Sequence, residues 1–173
     1  KVVDTIEIER AMVDGARWYG KSVQRAYFDP RSKLHIDDAR TFFSTGKRSY
    51  DVIISEPSNP WVSGVAALFT QEFYGFLRSH LKPDGLLLQW LQSYEINDEL
   101  MFTMVAALLE EFPHVDAYLT NTADVLLLSS MEPIAPLELA RLDSNPLRSE
   151  LARVGLLSIG DYKVRKIASR STL

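Results

Sequence analysis

The sequence predicts an α/β fold: an open, mostly parallel sheet with helices on both faces, an antiparallel strand pair toward its end and a short helical tail. Three observations predict it. Strand-like and helix-like periodicities alternate along residues 1–130, which is the pattern of parallel strands joined by helical crossovers. The run Val52-Ile53-Ile54 is continuously apolar, as in a strand covered on both faces, and it stops in Glu56-Pro57-Ser58-Asn59-Pro60-Trp61, where two prolines forbid its continuation. Twice more a strand pattern passes directly into carboxylates and a helix start, at Glu7-Ile8-Glu9 and at Asp37-Asp38-Ala39. In an open parallel sheet the carboxyl ends of the strands line the ligand crevice. Chemistry is therefore expected at these three junctions.

Bulk composition narrows the function classes. The 173 residues are 46% hydrophobic and 24% charged, enough for one domain with a sizeable core. A net charge of −4 with no basic stripe gives no reason to expect nucleic acid or an anionic membrane surface as partner. Cysteine is absent, which rules out disulfides and thiolate chemistry. His35, His80 and His114 lie far apart without ligand spacing, so no metal site is expected. No apolar run reaches the ~20 residues of a membrane span, and membrane contact by this segment is not expected.

The chain opens without an initiator methionine and enters a strand near residues 2–8 almost at once, as a piece of a longer protein would. Thr5, Ile6 and Ile8 supply its β-formers, and a helix follows with Ala11, Met12, Ala16 and Trp18 or Tyr19 at helical spacing. Glu7, at the strand end, can accept both hydroxyls of a ribose. Glu9 better suits a helix-start carboxylate. Asp29-Pro30-Arg31 is a turn, Lys33–Ile36 a strand, and Asp37-Asp38-Ala39-Arg40 begins a helix through Phe43. One aspartate of that pair can cap the helix while the other accepts from the exocyclic amine of a base. The central strand spans 51–55. Thr70 caps a helix ending near His80, Pro83-Asp84-Gly85 is a turn, and Leu86–Leu91 is a buried strand from which Gln89, Gln92, Ser93 and Tyr94 lead out. Asn97–Phe112 is the longest helix, with Leu100, Met101, Met104, Leu108 and Leu109 on one face. Val115–Leu119 and Val125–Ser129 form the antiparallel pair, joined through Thr120 to Asp124. Residues 131–173, punctuated by Pro133, Pro136 and Pro146, read as a helical extension of the same domain, with helices at 137–141, 147–154 and 159–168.

These stretches resemble the spermidine synthase family, whose aminopropyltransferase domain has the Rossmann-like class I methyltransferase fold. The likeness is greatest to bacterial spermidine-synthase-like proteins joined to a membrane-spanning segment. It rests on Ile6-Glu7-Ile8-Glu9, Asp29-Pro30-Arg31, Asp37-Asp38-Ala39-Arg40, Tyr50-Asp51-Val52-Ile53-Ile54, Leu68-Phe69-Thr70-Gln71-Glu72-Phe73-Tyr74 and Leu81-Lys82-Pro83-Asp84-Gly85, in order over residues 1 to about 92. The resemblance implies that Glu7 holds the ribose of decarboxylated S-adenosylmethionine or S-adenosylmethionine, a co-substrate rather than a tightly bound cofactor. Asp38, with the Ala39 backbone, meets the adenine. The catalytic loop is Tyr50 to Asn59, with Glu56 as base or amine-orienting group. Asn59, Trp61, Gln89 and Tyr94 face a small amine such as putrescine, Trp61 and Tyr94 offering rings to a cation.

Two departures bear on that activity. Family members that make spermidine carry aspartates where this chain has Glu56 and Asn59; Glu56 moves the carboxylate one methylene, and Asn59 removes a charge. The glycine-rich loop and the first strand, which lies mid-sheet between the second and fourth, are expected before residue 1. A sheet without that strand can close by joining its halves or by pairing with another chain as a homodimer. The expected activity is polyamine biosynthesis in a longer cytoplasmic parent, membrane-tethered if that parent has a membrane domain, with none from these residues alone. Two alternatives stand beside it. One is methyl transfer, because Asn59-Pro60-Trp61 is similar to the Asn-Pro-Pro-aromatic loop of amino-methyltransferases; the other is a non-catalytic nucleoside- or polyamine-binding domain.

Overall fold

The computed structural model describes residues 1–46, 48–62, 64–120, 123–135, 144–145 and 147–173. They form two compact units, Lys1–Arg48 and Ser49–Leu173.

In the first unit, β1 (Val3–Glu7) pairs in parallel with β2 (Ser32–Ile36), in register from Val3 opposite Ser32 to Glu7 opposite Ile36. Between them run α1 (Arg10–Ala16), a 3-10 segment (Arg17–Ser22) and α2 (Gln24–Phe28), and α3 (Ala39–Ser44) follows β2. Val13, Phe42 and Phe43 are its buried hydrophobic residues. The expected helix through Trp18 and Tyr19 breaks at Gly20, whose φ of +58° suits a residue without Cβ. Its apolar stripe is not buried as expected: Met12 and Tyr19 are exposed, and Trp18 is 92% exposed. Local bonds tie the segment instead, with the Tyr27 hydroxyl donating to the Val13 carbonyl at 2.6 Å and Ser32 Oγ to the Ala26 carbonyl at 2.8 Å.

The second unit holds a five-stranded sheet in the order β3-β4-β6-β5-β7. Its strands are β3 (Tyr50–Ser55), β4 (Leu81–Gln92), β5 (His114–Leu119), β6 (Asp124–Ser130) and β7 (Lys166–Ser169). Only β3 with β4 is parallel; β4–β6, β6–β5 and β5–β7 are antiparallel. Thr70 caps α4 (Gln71–Ser79) by accepting from the Phe73 N–H, and Asn97 caps α5 (Asp98–Glu111) by accepting from the Leu100 N–H. These helices bury Phe73, Tyr74, Leu77, Met104, Val105 and Leu108. With Leu87, Leu91 and Leu127 of the sheet they make the core. Each such side chain contributes about 1.5–3 kcal/mol of burial free energy.

Three expectations change here. Ile53 is buried, but Val52 is 49% and Ile54 66% exposed. β3 is thus a strand with one face buried and the other open, not one covered on both faces, and it is also an edge strand, since only β4 pairs with it in its sheet. Pro83-Asp84-Gly85 does not end an element. Tyr50 lies opposite Leu81 and Val52 opposite Leu86, so Lys82–Gly85 bulges from a continuous β4. Gly85 is needed there, since a Cβ would come within 3.0 Å of backbone atoms of Lys82 and Tyr50. The tail is not all helix. After α6 (Leu147–Arg153) and α7 (Ile159–Lys163), residues expected to continue a helix form β7 on the edge of β5. Lys166 pairs with Asp116 at 2.7 Å, and Arg170 donates to the Leu109 and Phe112 carbonyls at the end of α5 at 2.7 and 2.8 Å. The helix expected at 137–141, and Asn121 and Thr122 of the β5–β6 connection, lie outside the described residues.

Candidate functional site

Glu7, Asp38 and Ala39 share the first unit. Glu7 closes β1, and its Oε1 accepts from the Glu9 N–H at 2.9 Å, while its carbonyl accepts from the Asp37 N–H at 3.1 Å. Glu9 is the helix cap, accepting from the Ala11 N–H at 2.8 Å. That leaves Glu7 at the strand end, as its position in the sequence suggests. Asp38 Oδ1 caps α3 by accepting from the Thr41 N–H at 3.0 Å and the Thr41 hydroxyl at 3.3 Å. Asp37 Oδ1 accepts from the Asp38 N–H at 2.9 Å. The cap engages one Asp38 oxygen, so capping and ligand recognition can reside in one carboxylate. Ala39, the first residue of α3, is half-buried. Because β1 and β2 run parallel in register, Glu7 and Asp38 emerge from the same end of their sheet.

Glu56, Asn59, Trp61, Gln89 and Tyr94 belong to the second unit, at or near the carboxyl ends of β3 and β4. Glu56 is the first residue past β3 and is exposed. Asn59 is half-buried, its carbonyl accepting from the Val62 N–H at 2.9 Å, and next to it Pro60 is buried and Trp61 exposed. Ser55 lies opposite Gln89. Gln89 is 0% exposed; its Nε2 donates to the Trp90 carbonyl at 2.8 Å, and its Oε1 has no partner. Tyr94 is exposed in the loop that leaves β4.

Four further features carry little sequence signal. Gln92, Tyr74 and Ser129 each bury a polar atom without a partner, at a cost of about 1–3 kcal/mol apiece. Burial also pushes the Tyr74 hydroxyl well above its ordinary pKa. The fourth is Glu95, the one described non-glycine residue with positive φ, at +56°. Two glutamines near a strand end were legible; that their carbonyl oxygens go unpaired was not, because pairing is a property of the packed state. Among the described residues no three His, Asp or Glu side chains gather into a metal site.

The ends of β3 and β4 therefore carry carboxylate and amide oxygens and aromatic residues, and the ends of β1 and β2 carry carboxylates. Similarity to known proteins identifies the family. A polyamine aminopropyltransferase of Nitrosomonas europaea is 30% identical over 164 residues, covering 90% of this chain and 48% of that protein. One from Clostridium perfringens is 35% identical over 91 residues, 53% of this chain and 32% of that protein. The chain thus spans about half the length, or less, of these curated relatives. Among solved structures, a spermidine synthase in complex with the transition-state analogue AdoDATO aligns with a TM-score of 0.72 at 20% identity, covering 83% of this chain and 53% of that one. Human methyltransferase-like protein 13 in complex with SAH aligns with a TM-score of 0.62 at 22% identity, covering 96% and 72%. Both establish the Rossmann-like methyltransferase fold. The family model for the spermine/spermidine synthase domain matches residues 1–131, and the chain belongs to that family.

Proposed function

We propose that the protein containing this chain transfers an aminopropyl group from decarboxylated S-adenosylmethionine to a small amine such as putrescine. The observation that carries the reading is in the second unit: the buried Gln89 Oε1, without a partner among the described residues, lies opposite Ser55, the residue before the Glu56 carboxylate. An amine supplies the missing donor.

Glu7 would hold the donor's ribose hydroxyls, and Asp38 Oδ2 with the Ala39 backbone would hold its adenine. Gln89, Asn59, Trp61 and Tyr94 would hold the attacking amine. The amine lone pair forms the new N–C bond as the C–S bond breaks, its electrons neutralising sulfur, and methylthioadenosine departs. Glu56 takes the proton lost by nitrogen and, being exposed, returns it to water. Most of the acceleration comes from positioning, with proton transfer adding roughly 10²–10⁴-fold. A chain without cysteine carrying this reaction suits the cytoplasm.

The test is mass-spectrometric detection of the aminopropylated amine, alongside calorimetry with decarboxylated S-adenosylmethionine, S-adenosylmethionine and methylthioadenosine, on the full-length protein. Expected are product formation, its fall by ~10²-fold or more in Glu56→Gln, and loss of donor binding in Glu7→Ala. A methylated product would replace the reading by methyl transfer, and absence of both binding and product would leave a non-catalytic domain.

A further inference from the structure

We infer that the loop carrying Trp18 and Tyr19 docks on an anionic membrane surface, its rings entering the headgroup layer while Arg17, Lys21 and Arg25 meet lipid phosphates. None of these residues is assigned a part in the proposed reaction.

The starting point is apolar area left in water. Trp18 is 92% exposed, and Met12, Tyr19 and Phe28 of the same short segment are exposed as well. The buried hydrophobic residues of the first unit are Val13, Phe42 and Phe43, so none of the four belongs to its core. A single exposed apolar side chain is ordinary; several large ones in one segment, rimmed by charge, mark an interaction surface.

Local bonds shape that segment into a loop with a firm base. The Tyr27 hydroxyl donates to the Val13 carbonyl at 2.6 Å, closing the loop, and the Arg17 guanidinium lies 5.2 Å from the centre of the Tyr27 ring, bracing its side. Gly20 stands midway between Val13 and Tyr27, with φ +58° and ψ −123°, and a Cβ there would meet no atom within 4 Å. Trp18 and Tyr19 thus adjoin a tip with open space around it. A loop already held in shape loses little conformational entropy on docking.

Charge selects the surface. From Gly15 to Phe28 the chain carries Arg17, Lys21 and Arg25, all exposed, and no acidic residue, against a net charge of −4 for the whole chain. The flanking carboxylates are engaged by arginines of their own: Asp14 by Arg10 at 3.9 Å and Asp29 by Arg31 at 2.6 Å. The whole-chain balance, which gives no reason to expect a membrane partner, averages this local cluster away. Tryptophan and tyrosine favour the headgroup layer, and lysine and arginine beside it are drawn to anionic lipid. The contact is interfacial, since no helix among the described residues is long and apolar enough to cross a membrane.

The experiment sediments the full-length protein with vesicles of phosphatidylcholine, alone or mixed equally with phosphatidylglycerol, and reads tryptophan emission with brominated phosphatidylcholine in the same vesicles. Wild type should bind the mixed vesicles roughly tenfold or more tightly than the neutral ones, a preference that shrinks in high salt. Its emission should shift to the blue and be quenched by bromine. Trp18→Phe, which keeps an apolar ring, should still bind with that optical response reduced. Trp18→Ala combined with Tyr19→Ala should lose most of the binding, and Lys21→Gln combined with Arg25→Gln should lose the preference for phosphatidylglycerol. Hydrogen exchange along β1 and β2 checks that each variant is folded. Undiminished sedimentation of the double alanine variant, or bromine quenching unchanged in Trp18→Phe, places any membrane contact elsewhere in the protein and overturns the inference. Absence of vesicle binding by wild type also overturns it, as does binding of single-stranded nucleic acid through these rings in place of vesicles.

Discussion

Residues 1–48 and residues 49–173 are held together by different means. In the first unit three hydrophobic side chains are buried, and order comes from short-range bonds: the Glu9 and Asp38 caps, the Tyr27–Val13 bond, and a bidentate Arg31–Asp29 pair at 2.9 and 2.6 Å. His35 bonds Asp4 at 2.8 Å and packs its ring against Phe42, tilted by 51° with centroids 4.7 Å apart. The second unit folds a five-stranded sheet around two capped helices, with Leu87, Leu108 and Phe112 fully buried. The comparison teaches that the proposed nucleoside side rests on local geometry and the amine side on a packed core. Substitutions should therefore act very differently in the two.

The largest contrast comes from Leu108→Ala. Emptying a fully buried site should destabilise the second unit by about 2–5 kcal/mol in denaturant titrations, with hydrogen exchange along β1 and β2 little changed. Loss of protection in both together would mean one cooperative body and would break the comparison. Next is Gly85→Ala. Its Cβ would press on backbone alone, Lys82 and Tyr50, and backbone cannot swing aside, so about 1–3 kcal/mol is expected, with the loss centred on β3 and β4 amides. Removing a cap from the first unit should cost less. Asp38→Ala is expected to cost about 1 kcal/mol, seen as faster exchange in α3, whereas Asp38→Asn keeps the cap and would show only the effect of lost charge on nucleoside binding.

The smallest effect sharpens the same contrast through pH. Hydrogen bonds and charge from Arg31 hold the Asp29 carboxyl far below its ordinary 3.8. A depressed carboxylate stabilises the fold above the unfolded value, and that contribution fades as pH falls below about 4 toward the folded one. Because Arg31 is exposed and Asp29 only half-buried, solvent screens the pair. Acid should loosen the Asp29–Arg31 turn, followed by NMR, before it affects β4 or α5, and Arg31→Gln should raise the Asp29 pKa part of the way back, since the backbone N–H of residue 31 still donates to it.

Much of this architecture is legible in the residues. The β-branched runs, the Thr70 and Asn97 caps and the strand-to-carboxylate junctions are local signals, and the strands fall where those signals lie. Other features depend on contacts distant in sequence. Lys166–Ser169 is a strand because the edge of β5 accepts it and Asp116 pairs with Lys166, neither of which its own composition announces. The Val52–Ile54 run looks doubly covered because apolarity reports what a strand can tolerate, not which neighbours flank it. At the site, Glu7, Asp38 and Glu56 were readable as carboxylates ending strands. Gln92 was only a polar residue leading out of one, and its distinguishing property is an oxygen whose hydrogen bond none of the described residues completes.

The exposed margin of β3 has a consequence for handling the protein. A strand that pairs on one side only in its sheet, with Val52 and Ile54 exposed, is a template onto which further extended chains can add. Asp51, bonded to Lys82 at 2.8 Å, sets a charge pair beside that margin and acts as a gatekeeper against such growth. Self-association should therefore rise with concentration and with salt, and it should be stronger still once Asp51 or Lys82 is neutralised, making solubility rather than folding the first property of this chain to fail.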